Sequence, residues 1–147
     1  MTLPSSLDDI SHVIQLAVAP VFLLTAVGTL LNVLTSRLGR AIDRRRVLQK
    51  LSPGEDGDAF GVGQVELALI TQRVRLIYRS IVLAVLCALF ICLVIAVAFI
   101  DAFVSANLAR VLGALFVLAM VALIGALLMF LREIFLAVTG AGVKIES

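Results

Sequence analysis

Histidine is nearly missing from this chain: His12 is the only one in 147 residues. Ser/His/Asp and Cys/His catalytic sets, and most zinc sites, need imidazole among several converging partners. A lone histidine four residues after Asp8 makes an i,i+4 helix contact and nothing further. Cysteine is nearly missing too. Cys87 and Cys92 stand five residues apart, which turns them about 140° away from each other on a helix. They form neither a mutual disulfide nor a CxxC site, and both read as packing residues. No glycine-rich phosphate loop follows a strand. The acids Glu55, Asp56 and Asp58 lack the spacing of an EF-hand and read as a solvated loop. These absences leave no catalytic constellation, metal site or cofactor, so the chain is expected not to be an enzyme.

Charge is scarce as well, at 15% of residues, while 62% are hydrophobic and the mean hydropathy is +1.16. Soluble domains are about 45–50% apolar. The excess sits in three uncharged blocks, Val13–Ser36, Ser80–Ile100 and Val111–Leu131. Each exceeds the roughly 20 residues that a spanning helix needs. In lipid the backbone must pair internally, so each block is expected to be a transmembrane helix. Met1–Ser11 holds no Lys or Arg and carries Asp8 and Asp9, so the first block is read as a span rather than a cleaved signal peptide. Ser6 is the expected N-cap of that helix, with Asp9 at N3.

What charge there is falls unevenly. Arg37, Arg40, Arg44, Arg45, Arg46, Lys50, Arg73, Arg75 and Arg79 lie between the first two spans, whereas the connection 101–110 carries Arg110 alone. Short loops rich in Lys and Arg stay cytoplasmic. The expected topology therefore has the N-terminus outside, and residues 37–79 and Ser147 inside. The first helix is expected to run past the membrane to about Leu51, with Gly39 its one weak point. A loop over SPGEDGDAFGVG, 52–63, follows from its Pro, Gly and acidic residues. A second helix then starts near Gln64. Leu67, Ile70, Val74, Ile77 and Ile81 recur at steps of 3 and 4, and Leu38, Ile42, Leu48 and Leu51 offer a facing stripe. The fold class is thus all-α integral membrane, a single domain over 1–147. Its first two helices extend into a cytoplasmic helical hairpin, 37–79, with apolar faces inward and arginines outward.

The spans differ in their faces. The second carries Ser80, Ala84, Ala88, Cys92 and Ala96, small residues at every fourth position, read as a helix-packing seam. A short turn near Val104–Asn107 makes spans two and three antiparallel. Folding them about residue 105 sets Asp101 against Arg110 and Arg79 near Glu133, two candidate ion pairs. Glu133 is followed by apolar residues, and a desolvated carboxylate beside an arginine is also a functional candidate. In the first span Pro20 is expected to bend the helix or loosen a backbone bond. Gln15, Thr25, Thr29, Asn32 and Ser36 are polar there, the last four sharing one face, and Arg37, Arg40 and Arg44 continue close to it. Two readings of that stripe stay open. In one, the hydroxyls bond their own backbone and Asn32 bonds a neighbouring helix. In the other, several copies of the span surround a pore with the arginines at its cytoplasmic mouth.

The run LTSRLGRAIDRRRVL, preceded by ISHVIQLAVAPVFLLTAVG and followed by FLREIFLAV, resembles the bacterial membrane family called domain of unknown function 2721. The resemblance covers nearly the whole chain. Its most specific part is R-x-x-R-x-x-D-R at Arg37, Arg40, Asp43 and Arg44, with Glu133 as the later acidic position. It implies a small bacterial inner-membrane protein with three spans, and no activity.

Two functions follow as expectations. One is a homo-oligomeric ion channel or transport pore lined by the first span. The other is a non-conducting structural or regulatory module whose basic hairpin binds a protein partner or anionic lipid headgroups. Nucleic acid is not an expected partner, since no aromatic residues interleave the arginines. On the pore reading, Asn32→Leu abolishes ion flux in proteoliposomes and leaves assembly intact; unchanged flux removes Asn32 from the lining.

Overall fold

The computed structural model describes residues 5–51, 57–104 and 107–142. They form three α-helices, α1 (Ser5–Leu51), α2 (Gly57–Val104) and α3 (Ala109–Gly142). Each contains a stretch long and apolar enough to cross a membrane. Of the most apolar part of each, only 11%, 22% and 17% is buried within the chain. The remaining apolar surface, too large to leave in water, belongs against lipid or other chains.

α1 starts at Ser5, one residue before its expected cap, and runs unbroken through Pro20 and Gly39 to Leu51. The loop expected over 52–63 is shorter than its composition suggested. Residues 52–56, with Pro53, Glu55 and Asp56, lie outside the described residues, but the backbone is helical from Gly57 onward. Extending a formed helix adds a hydrogen bond per residue with no new nucleation cost, and no proline follows Pro53 to stop it. Ser105, Ala106 and Ser147 also lie outside the described residues.

The chain divides into two compact units, each taking residues from all three helices. Unit 1 is Met1–Leu31 with Leu83–Ile124. Its core is Val27 of α1, Ala84, Cys87 and Ile91 of α2, and Ala119 and Ala122 of α3. Alanines dominate because membrane helices pack by dispersion at close range, where small side chains let backbones approach. In its turn Asn107 has φ of 49°, a left-handed conformation that asparagine tolerates better than most residues. Asp101 does not pair with Arg110. Its Oδ1 accepts the N–H of Leu108 at 3.0 Å, while the Leu108 carbonyl accepts from Leu112 N at 3.0 Å. The carboxylate thus satisfies a backbone donor at the start of α3, the more demanding partner at a helix end, and Arg110 is exposed.

Unit 2 is Asn32–Val82 with Gly125–Ser147. Leu34 of α1, Ile70, Leu76, Ile77 and Ser80 of α2, and Ala126 and Glu133 of α3 are buried. The apolar stripe read over Leu67–Ile81 accounts for Ile70 and Ile77, with Leu67, Val74 and Ile81 half-buried.

The four-residue seam in α2 needs correction. Ser80 and Ala84 are buried, Ala88 is half-buried, and Cys92 and Ala96 are exposed. The buried residues beyond Ala84 are Cys87 and Ile91 instead. A strict step of four advances about 400° on a helix of 3.6 residues per turn, so such a line drifts about 40° each step. Alternating steps of three and four hold one face. Ala84→Leu therefore overpacks unit 1 and costs about 1–3 kcal/mol in thermal unfolding, whereas Ala96→Leu stays within about 0.5 kcal/mol. Equal losses at the two positions contradict this assignment of the packed face.

Candidate arginine cleft

The site grows from one residue. Glu133 sits on α3 just beyond the last uncharged block, and its side chain is completely buried. A buried carboxylate without partners is prohibitively costly, and two arginines answer it. From α2, Arg73 donates to Glu133 Oε1 through both Nε, at 3.2 Å, and Nη2, at 2.9 Å. From α1, Arg37 Nη2 lies 3.2 Å from Oε2. That second contact is an ion pair without hydrogen-bond alignment, so Oε2 accepts no hydrogen bond among the described residues. The Arg37 guanidinium is also held 5.3 Å above the ring of Phe130, a cation–π contact. One carboxylate and a ring thus fix Arg37 while leaving its N–H groups unengaged among the described residues.

The Arg79–Glu133 pair is corrected by this geometry. Arg73, Ile77 and Ser80 follow one another at steps of four and three and share the buried face of α2. Arg79 points elsewhere and is exposed. The expectation that arginines face outward fails for the same reason: Arg37 and Arg73 are only 26% and 32% exposed. A signal was present in the sequence, since Arg73 lies four residues before Ile77 on the face that the apolar stripe and the small seam share.

Farther along α1, Arg44 Nη2 meets Glu66 Oε1 of α2 at 2.8 Å. Between these two contacts Arg40 is exposed and pairs with no carboxylate among the described residues. Arg37, Arg40, Arg44 and Arg73, with Glu66, line a cleft of about 600 Å³. Its other walls are Ala41, Leu69, Ile70, Leu136 and Ala137. Four guanidinium groups therefore face two carboxylates, Glu66 in the wall and Glu133 behind it. The uncompensated charge is positive and stands beside an apolar surface. The three predicted basic residues Arg37, Arg40 and Arg44 belong to this cleft; Arg73, Glu66 and the apolar wall were not anticipated as parts of it.

The polar residues of the first span take different roles. Thr25 Oγ1 donates to the Val21 carbonyl at 3.2 Å and Thr29 Oγ1 to the Thr25 carbonyl at 3.1 Å. Such back-bonding satisfies a hydroxyl within its own helix. Asn32 and Ser36 are exposed, and the Asn32 carboxamide has no hydrogen-bond partner among the described residues. Among those residues no three His, Cys, Asp or Glu side chains gather where a metal ion would be held.

A sequence model of the family described as "Protein of unknown function (DUF2721)" matches residues 17–143, and the chain belongs to that family. No curated protein and no solved structure matches the chain.

Removing Glu133 leaves two partly buried arginines facing each other. Loss of one partner from a fully buried pair costs about 3–5 kcal/mol. Partial exposure of both arginines screens the repulsion, so Glu133→Ala is expected to cost about 2–3 kcal/mol in thermal unfolding. Glu133→Gln, which retains an acceptor for Arg73, costs less. A loss under about 0.5 kcal/mol for the alanine variant, ordinary for a surface substitution, contradicts the clamp.

Proposed function

We propose that this member of the DUF2721 family is a multi-pass inner-membrane protein that performs no chemistry of its own and binds an anionic membrane lipid in the arginine cleft. In this reading the N-terminus is outside, and residues 37–79 form a cytoplasmic hairpin whose base carries the cleft. The observation that carries it is the imbalance of four arginines and two carboxylates beside an apolar wall. A small anion or acidic peptide held by charge alone needs no such wall. An anionic lipid needs both surfaces, guanidinium groups for its phosphate and apolar side chains for its glycerol and upper acyl carbons. The position supports the same occupant. Arg37 directly follows the uncharged block of the first span, and Leu136 lies a few residues past that of the third.

A second observation favours assembly. The carboxamide of Asn32, without a hydrogen-bond partner among the described residues, stands exposed at the end of an uncharged block. Such a group is costly against lipid, and a neighbouring copy of the chain offers it a partner. Homo-oligomerisation through this face is part of the proposal. A conducting path along it is the further alternative, and it is weakened by the threonines that bond their own helix.

Full-length protein in a neutral detergent, titrated with phosphatidylglycerol or phosphatidylcholine and read by native mass spectrometry, tests the lipid reading. Retention of the anionic lipid is expected to exceed that of the zwitterionic one, and the preference is expected to fall in Arg40→Gln and in Arg44→Gln. Equal retention of both lipids, or a preference indifferent to both variants, removes the cleft as a lipid site.

A further inference from the structure

The cleft says more about its ligand than the sign of its charge. Arg37, Arg40 and Arg44 stand at steps of three and four along α1, so they form one row. At 1.5 Å per residue the row is about 10 Å long. That exceeds the reach of one phosphate group and is comparable to the thickness of a headgroup layer, about 5–8 Å per leaflet. The counter-charges sit at the two ends of the row. Glu133 answers Arg37 and Arg73 at one end, and Glu66 answers Arg44 at the other. Each carboxylate removes one unit of charge from its end. What remains is one positive charge shared by Arg37 and Arg73, and another shared by Arg40 and Arg44. The hydrogen-bond donors are divided in the same way. Arg37, at one end, and Arg40, toward the other, have no acceptor among the described residues.

Resting on the anionic-lipid reading above, we infer that the cleft is built for a glycerophospholipid carrying two phosphodiesters, of the diphosphatidylglycerol type. One phosphodiester meets Arg37 and Arg73, the other meets Arg40 and Arg44, and the bridging glycerol passes between them. Two singly charged groups a few bonds apart match two separated single charges. A phosphate monoester would concentrate its charge at one end and leave the other uncompensated. Leu69, Ile70, Leu136 and Ala137 supply the apolar wall for the glycerol esters. Occupying both ends with one molecule makes the second contact intramolecular, a gain in affinity that needs no further residue.

The test is thermal unfolding of the full-length protein in a neutral maltoside. It is titrated with diphosphatidylglycerol, with phosphatidylglycerol at equal total phosphate, or with inorganic pyrophosphate. The two-phosphate lipid is expected to stabilise the protein with an apparent affinity at least about tenfold tighter than phosphatidylglycerol, and pyrophosphate is expected to be weak. Arg40→Gln, at an exposed residue that no carboxylate pairs with among the described residues, is expected to fold as the wild type does. It is expected to bring the diphosphatidylglycerol midpoint to that of phosphatidylglycerol. Equal affinities for both lipids in the wild type overturn the two-phosphate inference and leave the anionic-lipid reading standing. Stabilisation by pyrophosphate as tight as by the lipid overturns the lipid source. Response to neither lipid overturns both readings. An Arg40→Gln protein that keeps the full preference shows that the row of arginines does not set it.

Discussion

The buried carboxylate of Glu133 is the constraint from which the organisation of unit 2 follows. A fully desolvated charge is tolerated only with charged, hydrogen-bonding partners close by. Arg73 and Arg37 come from the other two helices, so satisfying Glu133 brings α1, α2 and α3 together at one level. Apolar packing in a membrane specifies register weakly, because lipid chains compete with side chains on nearly equal terms. A carboxylate with two arginine partners does not slide. The ion triad joins all three helices at one level, as buried polar groups that fix register do in several helical assemblies.

The same triad determines what the other arginines can do. Arginines at the end of a span ordinarily extend toward water and headgroups, and each is mobile. Here Arg37 is held by charge on one side and by the Phe130 ring on another, and Arg44 is held by Glu66. Held guanidinium groups with unengaged N–H donors form a preorganised surface, which lowers the ordering cost of binding an anion. The carboxylates are too few to neutralise the row, so the cleft is held in shape by negative groups and remains positive.

Sequence reading recovered the long-range plan and missed the local pairing, for different physical reasons. Three uncharged blocks and the basic bias of residues 37–79 are summed properties, insensitive to the position of any one residue. The blocks led to three helices, and the local run Ser52-Pro53-Gly54 to a first helix ending at about Leu51, where α1 ends. Pairing depends on facing. Arg79 and Arg73 are equivalent by composition, and only the turn of α2 selects Arg73. A fold about residue 105 set the levels of the charges but left out which side of the helix each one occupies. The small-residue seam failed past Ala88 for a related reason, since a four-residue repeat leaves the packed face that 3.6 residues per turn maintains. Glycines made 57–63 read as loop, although a helix already formed at Gln64 extends backward at small cost. Asp101 was matched to the nearest opposite charge, whereas the unpaired N–H of Leu108 at the start of α3 had the stronger claim. Arg37, Arg40 and Arg44 were legible as one basic face. The apolar wall opposite them was not, because Leu136 and Ala137 are separated from them by most of the chain.

The central claim is that the cleft holds a lipid, and the most direct test reads what lies in it in a native membrane. A photoreactive amino acid placed at Ala137, on the apolar wall, is irradiated in intact membranes, and the mass of the purified protein is measured. The account predicts an adduct of phospholipid mass that disappears in the Arg40→Gln background. Adducts only to protein, or a phospholipid adduct that persists unchanged without Arg40, would contradict it.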